Sequence, residues 1–281
     1  MFSHLVERIG NTKINNKTIY NNMNQPLASI HPDAQIGENV EIGPFVTIEK
    51  NVVIGDGCKI MSGAVICEGT RMGKNNRIFP HAVIGAVPQD LKFRGEETTC
   101  EIGDNNTIRE CVTINRGTAS KGKTVIGSNN LLMAYVHLGH DCLFGNNIIV
   151  SNACQFAGEV EVEDFAVVGG GSLVHQFTRI GSYAMIQGGS RLGQDIPPFI
   201  TVGREPACFC GLNLVGMKRR GFSEEQIATV QTIYRYLYQN KMNTSQAMEA
   251  IETEMPQSEL RDMVMKFVKE SSRGIVRAKR G

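Results

Sequence analysis

Every sixth residue from Ile30 is apolar: Ile30, Ile36, Ile42, Ile48, Ile54, Ile60, Ile66, Met72, Ile78 and Ile84. The run resumes at Ile102, Ile108 and Ile114. It resumes again at Ile126 and continues through Leu132, Leu138, Phe144, Val150, Phe156, Val162, Val168, Val174, Ile180 and Ile186 to Leu192. Hydrophobic residues make up 41% of the chain, so chance does not produce runs of this length. A helix repeats at 3.6 residues and a strand at 2. A period of six means a short flat wall and then a corner. The apolar residue points inward, and glycine or asparagine supplies the positive φ that a tight corner needs. Glycine follows the apolar residue directly at Gly37, Gly43, Gly55, Gly73, Gly85, Gly103, Gly127, Gly145 and Gly181. Three such walls close a triangular coil of about 18 residues, the hexapeptide parallel β-helix. The repeat class implies the left-handed form.

Two stretches lack the apolar sixth residue: Ala86 to Cys100 and Asn115 to Thr124. They are expected to project as loops, where function concentrates on a rigid scaffold. The pattern ends at "DIPPF", Asp195 to Phe199, and the periodicity beyond it is helical. "SEEQ", Ser223 to Gln226, is a capping box ahead of Ile227, Val230, Tyr234 and Leu237, which share one helical face. Further helices are expected over Ser245 to Glu254 and Ser258 to Lys269. This tail is expected to cover the open sheet edge at the end of the coil. The expected organisation is a disordered leader over 1–28, a mainly β left-handed parallel β-helix over 29–198 and a C-terminal helical domain over 199–281. The leader is asparagine-rich, and Met23 precedes the patterned region as an alternative start.

The net charge of +1 points to no nucleic acid partner, and no long apolar run marks a transmembrane segment. The eight cysteines form no C-x-x-C pair and read as small apolar fillers in a reducing compartment. From Phe199 onward the chain carries 13 Lys/Arg against 9 Asp/Glu, whereas residues 1–198 carry 16 against 19. "KRR", Lys218 to Arg220, is a local basic cluster that is equally consistent with a solvated helix end.

From Ile126 to Leu192 the repeat has no insertion, so residues 18 apart stack in neighbouring coils about 4.8 Å apart. Gly139-His140 then lies below Ala157-Gly158, and these lie below His175-Gln176. Asp141 lies below Glu159. A histidine here is suited to removing a proton from a hydroxyl, with Asp141 fixing its tautomer. Gly158 leaves a substrate carbonyl room to approach a backbone N–H that stabilises an oxyanion. Lone histidines are usually structural, and His81 is read so, but three on one face favour function. Zinc held by His137, His140 and His175 is the competing reading. Their spread of about 10 Å along the axis argues against it within one chain, because Zn–N bonds are about 2.0–2.1 Å. A site between subunits escapes that objection. A non-catalytic scaffold is the third reading.

The segments "IGAVPQDLKFRGE", "IGDNNTIRECVTINRGT", "SNNLLMAYVHLGHDC", "VHQF", "QDIPPF" and "GLNLVGMKRRGFS" together resemble the acyl-(acyl-carrier-protein)-UDP-N-acetylglucosamine O-acyltransferases, which catalyse the first step of lipid A biosynthesis. The likeness runs from about Ser29 to the C-terminus. It implies transfer of a 3-hydroxyacyl chain from acyl carrier protein to the 3-hydroxyl of UDP-N-acetylglucosamine. It also implies a cytoplasmic homotrimer with active sites between adjacent prisms. It implies no metal and no cofactor beyond the pantetheine that the carrier brings. By the same resemblance His140 is the general base, Asp141 orients it and Gly158 is the oxyanion donor. Gln89, Asp90, Lys92, His137, His175 and Gln176 line the substrate cleft. Asn213 and Arg219 stand near the nucleotide and pantetheine phosphates, with Arg220 in the same basic cluster. An acidic carrier protein needs such a basic dock.

The sequence departs from the resemblance at Glu159, where the best-known members carry histidine. A carboxylate there donates no hydrogen bond unless protonated, and pairing with a cation is the expected alternative. Gly188 matches a position that limits acyl-chain depth, and glycine there leaves room for a long chain. The basic tail and the stacked His140 and Gly158 favour the acyltransferase reading over the zinc and scaffold readings. The related N-acyltransferase carries an extra N-terminal domain, for which residues 1–29 are too short.

Overall fold

The computed structural model describes residues 27–278, so the leader expected over 1–28 lies, except for Leu27 and Ala28, outside the described residues. The chain winds into a left-handed parallel β-helix with three sheets. The first wall runs from Ser29–Ile30 to Arg191–Leu192, the second from Gln35–Ile36 to Arg179–Ile180, and the third from Glu41–Ile42 to Met185–Ile186 and beyond. Within the uninterrupted repeat, partners stand 18 residues apart, as in Ser29 with Thr47, His137 with Gln155 and Glu161 with Arg179.

Each six-residue unit sends two side chains inward. The larger is the apolar residue of the repeat, buried throughout from Ile36 to Leu192. The second comes four residues later, at the corner, where the triangle is narrow and only small or medium side chains fit: Val52, Cys58, Ala64, Ala82, Cys142, Cys154, Ala166. Cys58, Cys142 and Cys154 are therefore packing residues, and their thiols donate to backbone carbonyls.

As expected, asparagine or glycine supplies the left-handed φ of the corner, three positions after the apolar residue, at Asn39, Asn51, Asn75, Asn105, Asn129 and Asn147 and at Gly57, Gly63, Gly69, Gly171 and Gly189 among others. Asparagine tolerates that region better than most side chains. The glycine directly after the apolar residue is needed for close approach between coils. A Cβ on Gly55 would lie 2.6 Å from the Gly73 carbonyl carbon, and one on Gly103 would lie 2.7 Å from the Gly127 oxygen.

Three buried asparagines form a ladder inside the corner between the second and third walls. The Asn106 amide accepts the Asn130 backbone N–H at 2.9 Å and donates to the Gly127 carbonyl at 3.0 Å. Asn76 below it and Asn130 above it repeat the arrangement.

Both irregular stretches leave from the corner between the first and second walls, in the two coils directly below His140. Their bases are strand, at Val83–Ala86, Thr99–Ile102, Thr113–Asn115 and Lys123–Ile126, so the free loops shorten to residues 87–98 and 116–122. Beyond Phe199 the chain is not helical at once. Ile200–Gly203 extends the third wall, and Cys208–Leu212 folds back on it as an antiparallel hairpin. A strand of four residues is too short for its alternation to register in the sequence.

Helices α1 (Leu214–Arg219), α2 (Glu224–Tyr238), α3 (Thr244–Glu254) and α4 (Glu259–Glu270) follow. The Ser223–Gln226 capping box opens α2, whose buried stripe includes Ile227, Val230, Tyr234 and Leu237. The tail closes the end of the coil. Buried Asp195 accepts from the Arg179 N–H at 2.8 Å and from the Ser271 hydroxyl at 2.6 Å.

Replacing Asn106 with alanine strands the Asn130 N–H and the Gly127 carbonyl in the interior. A loss of about 3 kcal/mol is expected, read as a lowered midpoint in denaturant unfolding. An unchanged midpoint contradicts the ladder's role.

Candidate active site

His140 ends a wall and Asp141 makes the corner with φ 58°. On a straight strand their side chains would face opposite ways. The left-handed corner brings them together, with His140 Nδ1 2.8 Å from Asp141 Oδ2. The Asp141 carboxylate is fully buried and the His140 side chain is 13% exposed. The carboxylate also accepts from the second loop: the Thr118 N–H to Oδ1 at 2.9 Å, the Thr118 hydroxyl to Oδ2 at 2.6 Å and the Lys121 N–H to Oδ1 at 3.3 Å. With a carboxylate at Nδ1, that nitrogen carries the proton and Nε2 is the acceptor.

Nε2 points at the next coil. A Cβ on Gly158 would lie 2.5 Å from Nε2 and 2.6 Å from Cε1, so any other residue there would displace the ring. Among the described residues the Gly158 N–H has no protein acceptor. The contrast with the neighbouring corner is informative. There five of the N–H groups in the same position of the repeat, those of Glu38, Lys74, Asp104, Ser128 and Asn146, donate to a side-chain oxygen from the following coil, at 2.6–2.9 Å.

His140 and Gly158 border a cleft of about 750 Å³ along the first wall, together with Gln89, His137, His175 and Gln176. Outward-facing Gln155, Leu173 and Arg191, one coil above another over His137, line it too. The wall register makes them readable from the sequence, but their residue types draw no attention. Thr118 carries no such signal, since it belongs to no repeat position. His175 Nδ1 donates to the Gln176 carbonyl at 3.0 Å, which leaves its Nε2 as acceptor.

The remaining expected site residues lie elsewhere on the single chain. Asp90 and Lys92 shape the first loop, the Asp90 carboxylate accepting the Lys92 N–H at 2.9 Å, and do not line the cleft. Gly188 sits at the corner between the third and first walls. Asn213 caps α1, accepting the Gly216 N–H at 3.0 Å, and donates to the Tyr183 carbonyl at 2.9 Å. Arg219 is exposed at the end of α1, and the Arg220 guanidinium lies 4.2 Å from the Phe165 ring centroid. His81 is a corner residue with φ 62°.

Glu159 donates its N–H to the His140 carbonyl at 2.8 Å. Among the described residues its side chain forms no ion pair, so the cation expected beside it is not found. Among the same residues no three His, Cys, Asp or Glu side chains converge as metal ligands. Burial pushes the Cys142 thiol, next to Asp141, up to about 12, which makes it no nucleophile near neutral pH.

His137 is held at Nδ1 by the Thr113 hydroxyl at 2.8 Å, and burial lowers its pKa below the ordinary histidine value. It therefore presents a neutral imidazole to the cleft at neutral pH. By linkage, the neutral form it keeps in the fold weakens the native state as pH falls below the ordinary histidine range toward the lowered value. An NMR titration is expected to give His137 a midpoint below that of a free histidine. A midpoint at or above it contradicts the burial argument.

Comparison with known proteins bears on 89–91% of the chain. Residues 195–276 match the family model described as UDP N-acetylglucosamine O-acyltransferase, domain 2, and residues 24–126 match that of the GMPPB C-terminal domain. The chain is 47% identical over 251 residues to the acyl-(acyl-carrier-protein)-UDP-N-acetylglucosamine O-acyltransferase of Thermodesulfovibrio yellowstonii, covering 89% of this chain and 97% of that one. It is 44% identical over 257 residues to the protein of the same name from a Janthinobacterium species, covering 90% and 98%. Among solved structures, LpxA from Bacteroides fragilis, described as a UDP-N-acetylglucosamine acyltransferase, superposes with a TM-score of 0.89 at 56% identity, covering 91% of this chain and all of that one. The Arabidopsis UDP-N-acetylglucosamine acyltransferase superposes at 0.80 with 35% identity, covering 90% and 99%. The chain belongs to the acyl-(acyl-carrier-protein)-UDP-N-acetylglucosamine O-acyltransferase family and is an acyltransferase on a left-handed parallel β-helix.

Proposed function

We propose that the protein transfers a 3-hydroxyacyl chain from acyl carrier protein to the 3-hydroxyl of UDP-N-acetylglucosamine, the first step of lipid A biosynthesis. The observation that carries the mechanism is His140 Nε2 facing Gly158, whose N–H has no protein acceptor. Nε2 takes the proton of the sugar hydroxyl as its oxygen attacks the thioester carbon. The carbonyl oxygen gains negative charge and receives the Gly158 N–H. Collapse breaks the carbon–sulfur bond, and the pantetheine thiolate leaves with the proton from His140. Asp141 keeps Nδ1 protonated and steadies the imidazolium.

The substrates' needs match the surroundings. The neutral His137 imidazole, together with His175 and Gln176, offers hydrogen bonds to sugar and amide groups along the cleft. Lys218 to Arg220 supply positive charge for an acidic carrier protein, although Lys218 also pairs with Glu224 at 2.9 Å. No resident cofactor takes part, since the carrier protein brings its own pantetheine. Gly188 sits on another corner than His140, and Asn213, Arg219 and Arg220 sit at the ends of α1; a homotrimer with the site between neighbouring prisms is the assembly that would unite them. Among the described residues no helix is long and apolar enough to cross a membrane. A cytoplasmic location is part of the proposal.

Replacing His140 with alanine is expected to lower kcat about 10³-fold, with the assembly unchanged in size-exclusion chromatography. Wild-type transfer in this variant removes His140 from the mechanism. Carrier proteins bearing 3-hydroxyacyl chains of graded length give the chain preference, expected on the long side for Gly188.

A further inference from the structure

The second loop projects from the prism at the corner of the site, yet the mechanism above gives it no role. Its tip turns back on Asp141. Thr118 is buried, with 6% of its surface exposed, and bonds both carboxylate oxygens: its N–H goes to Oδ1 and its hydroxyl to Oδ2. The hydroxyl oxygen also accepts the Ser120 N–H at 3.2 Å. A hydroxyl has one proton, and with Ser120 donating to its oxygen that proton is directed at Asp141. Oδ2 is the same oxygen that receives His140 Nδ1. A single file of donors thus runs from the Ser120 N–H through the Thr118 hydroxyl to Asp141, which it shares with His140. All protein contacts to this carboxylate are donated to it, the pattern of a carboxylate held as a pure acceptor.

The loop is built to hold this position. Gly117 has no room for a side chain against the Lys123 backbone, so the chain folds tightly there. The Gly117 N–H donates to the Thr99 carbonyl at 3.1 Å and the Gly122 N–H to the Thr118 carbonyl at 2.7 Å. Outside, Lys121 Nζ pairs with Glu161 at 3.0 Å, anchoring the loop to the second wall two coils above its base.

We propose that Thr118 is a positioning residue of the acyl transfer. Its hydroxyl and N–H fix the Asp141 carboxylate in the one orientation that keeps His140 protonated at Nδ1 and aims Nε2 across the coil at Gly158. The inference rests on His140 being the general base. It adds a second loop residue to a dyad otherwise formed by the coil alone.

The test compares Thr118→Val, which keeps shape and loses the hydroxyl, with Thr118→Ser, which keeps the hydroxyl. Steady-state acyl transfer with acyl carrier protein and UDP-N-acetylglucosamine is the readout. The valine variant is expected to lose about 10- to 100-fold in kcat, with both KM values within about threefold. The serine variant should return to within about threefold of wild type. The acid limb of the pH–rate profile should move up in the valine variant, because Oδ2 then gives its whole charge to the His140 imidazolium, and stay in place in the serine variant. Thr118→Ala serves if valine does not fold, with the same loss expected. A wild-type kcat and pH profile without the hydroxyl overturns the proposal, as does equal impairment of serine and valine, which marks a packing role. Activity surviving in His140→Ala overturns the general-base reading itself. An inactive His140→Ala beside an unimpaired Thr118→Val overturns the positioning role alone.

Discussion

Backbone hydrogen bonds between coils whose residues pair eighteen apart hold this molecule together, and the site is one instance of them. The Gly139 N–H donates to the Phe156 carbonyl at 2.9 Å, and the Glu159 N–H donates to the His140 carbonyl at 2.8 Å. Those two bonds bracket His140 and Gly158. They set the two backbones at a fixed separation, and the Asp141 carboxylate then aims the imidazole across it. Parallel ladders lock position along the whole strand direction, which makes such a scaffold well suited to holding reacting groups within fractions of an ångström.

The chemistry sits where that regularity is relaxed. Along the neighbouring corner five N–H groups of this kind are met by a side chain from the following coil. At Gly158 no side chain meets the N–H, and glycine also gives the imidazole its place. The carboxylate behind the imidazole is buried without a cation, a costly arrangement in a low-dielectric interior. Four donated hydrogen bonds offset that cost. Three of them come from a loop that is not part of the repeat, so the insertion supplies what the coil lacks.

Much of this was legible in the sequence, for one reason: a repeat converts position in the chain into height in space. The stacking of His140, Gly158 and Gln176 followed from counting, and Ser223 announced its helix through a local capping box. The glycine that directly follows the apolar residue at many corners was harder to read. Turn-forming and close approach both select glycine, and only the backbone angles tell them apart. Thr118 was invisible because a loop carries no register, so its meeting with Asp141, 23 residues on, has no arithmetic. Asn213 shows the opposite difficulty. It was noticed through family likeness, while its visible work is to cap α1 and tie it to Tyr183.

The same modular winding sets how such a chain can change in length. The backbone ladder of each lap joins only the laps above and below, so repeating one whole lap among the first few, before Met72, would make the spool taller and leave the chemistry untouched. Repeating a lap between His140 and Gly158 would insert about 4.8 Å between proton acceptor and amide and end the partnership, though the spool would wind as before. Growth by duplication is therefore tolerated below the loops and forbidden across the rungs that join Thr118, Asp141 and Gly158.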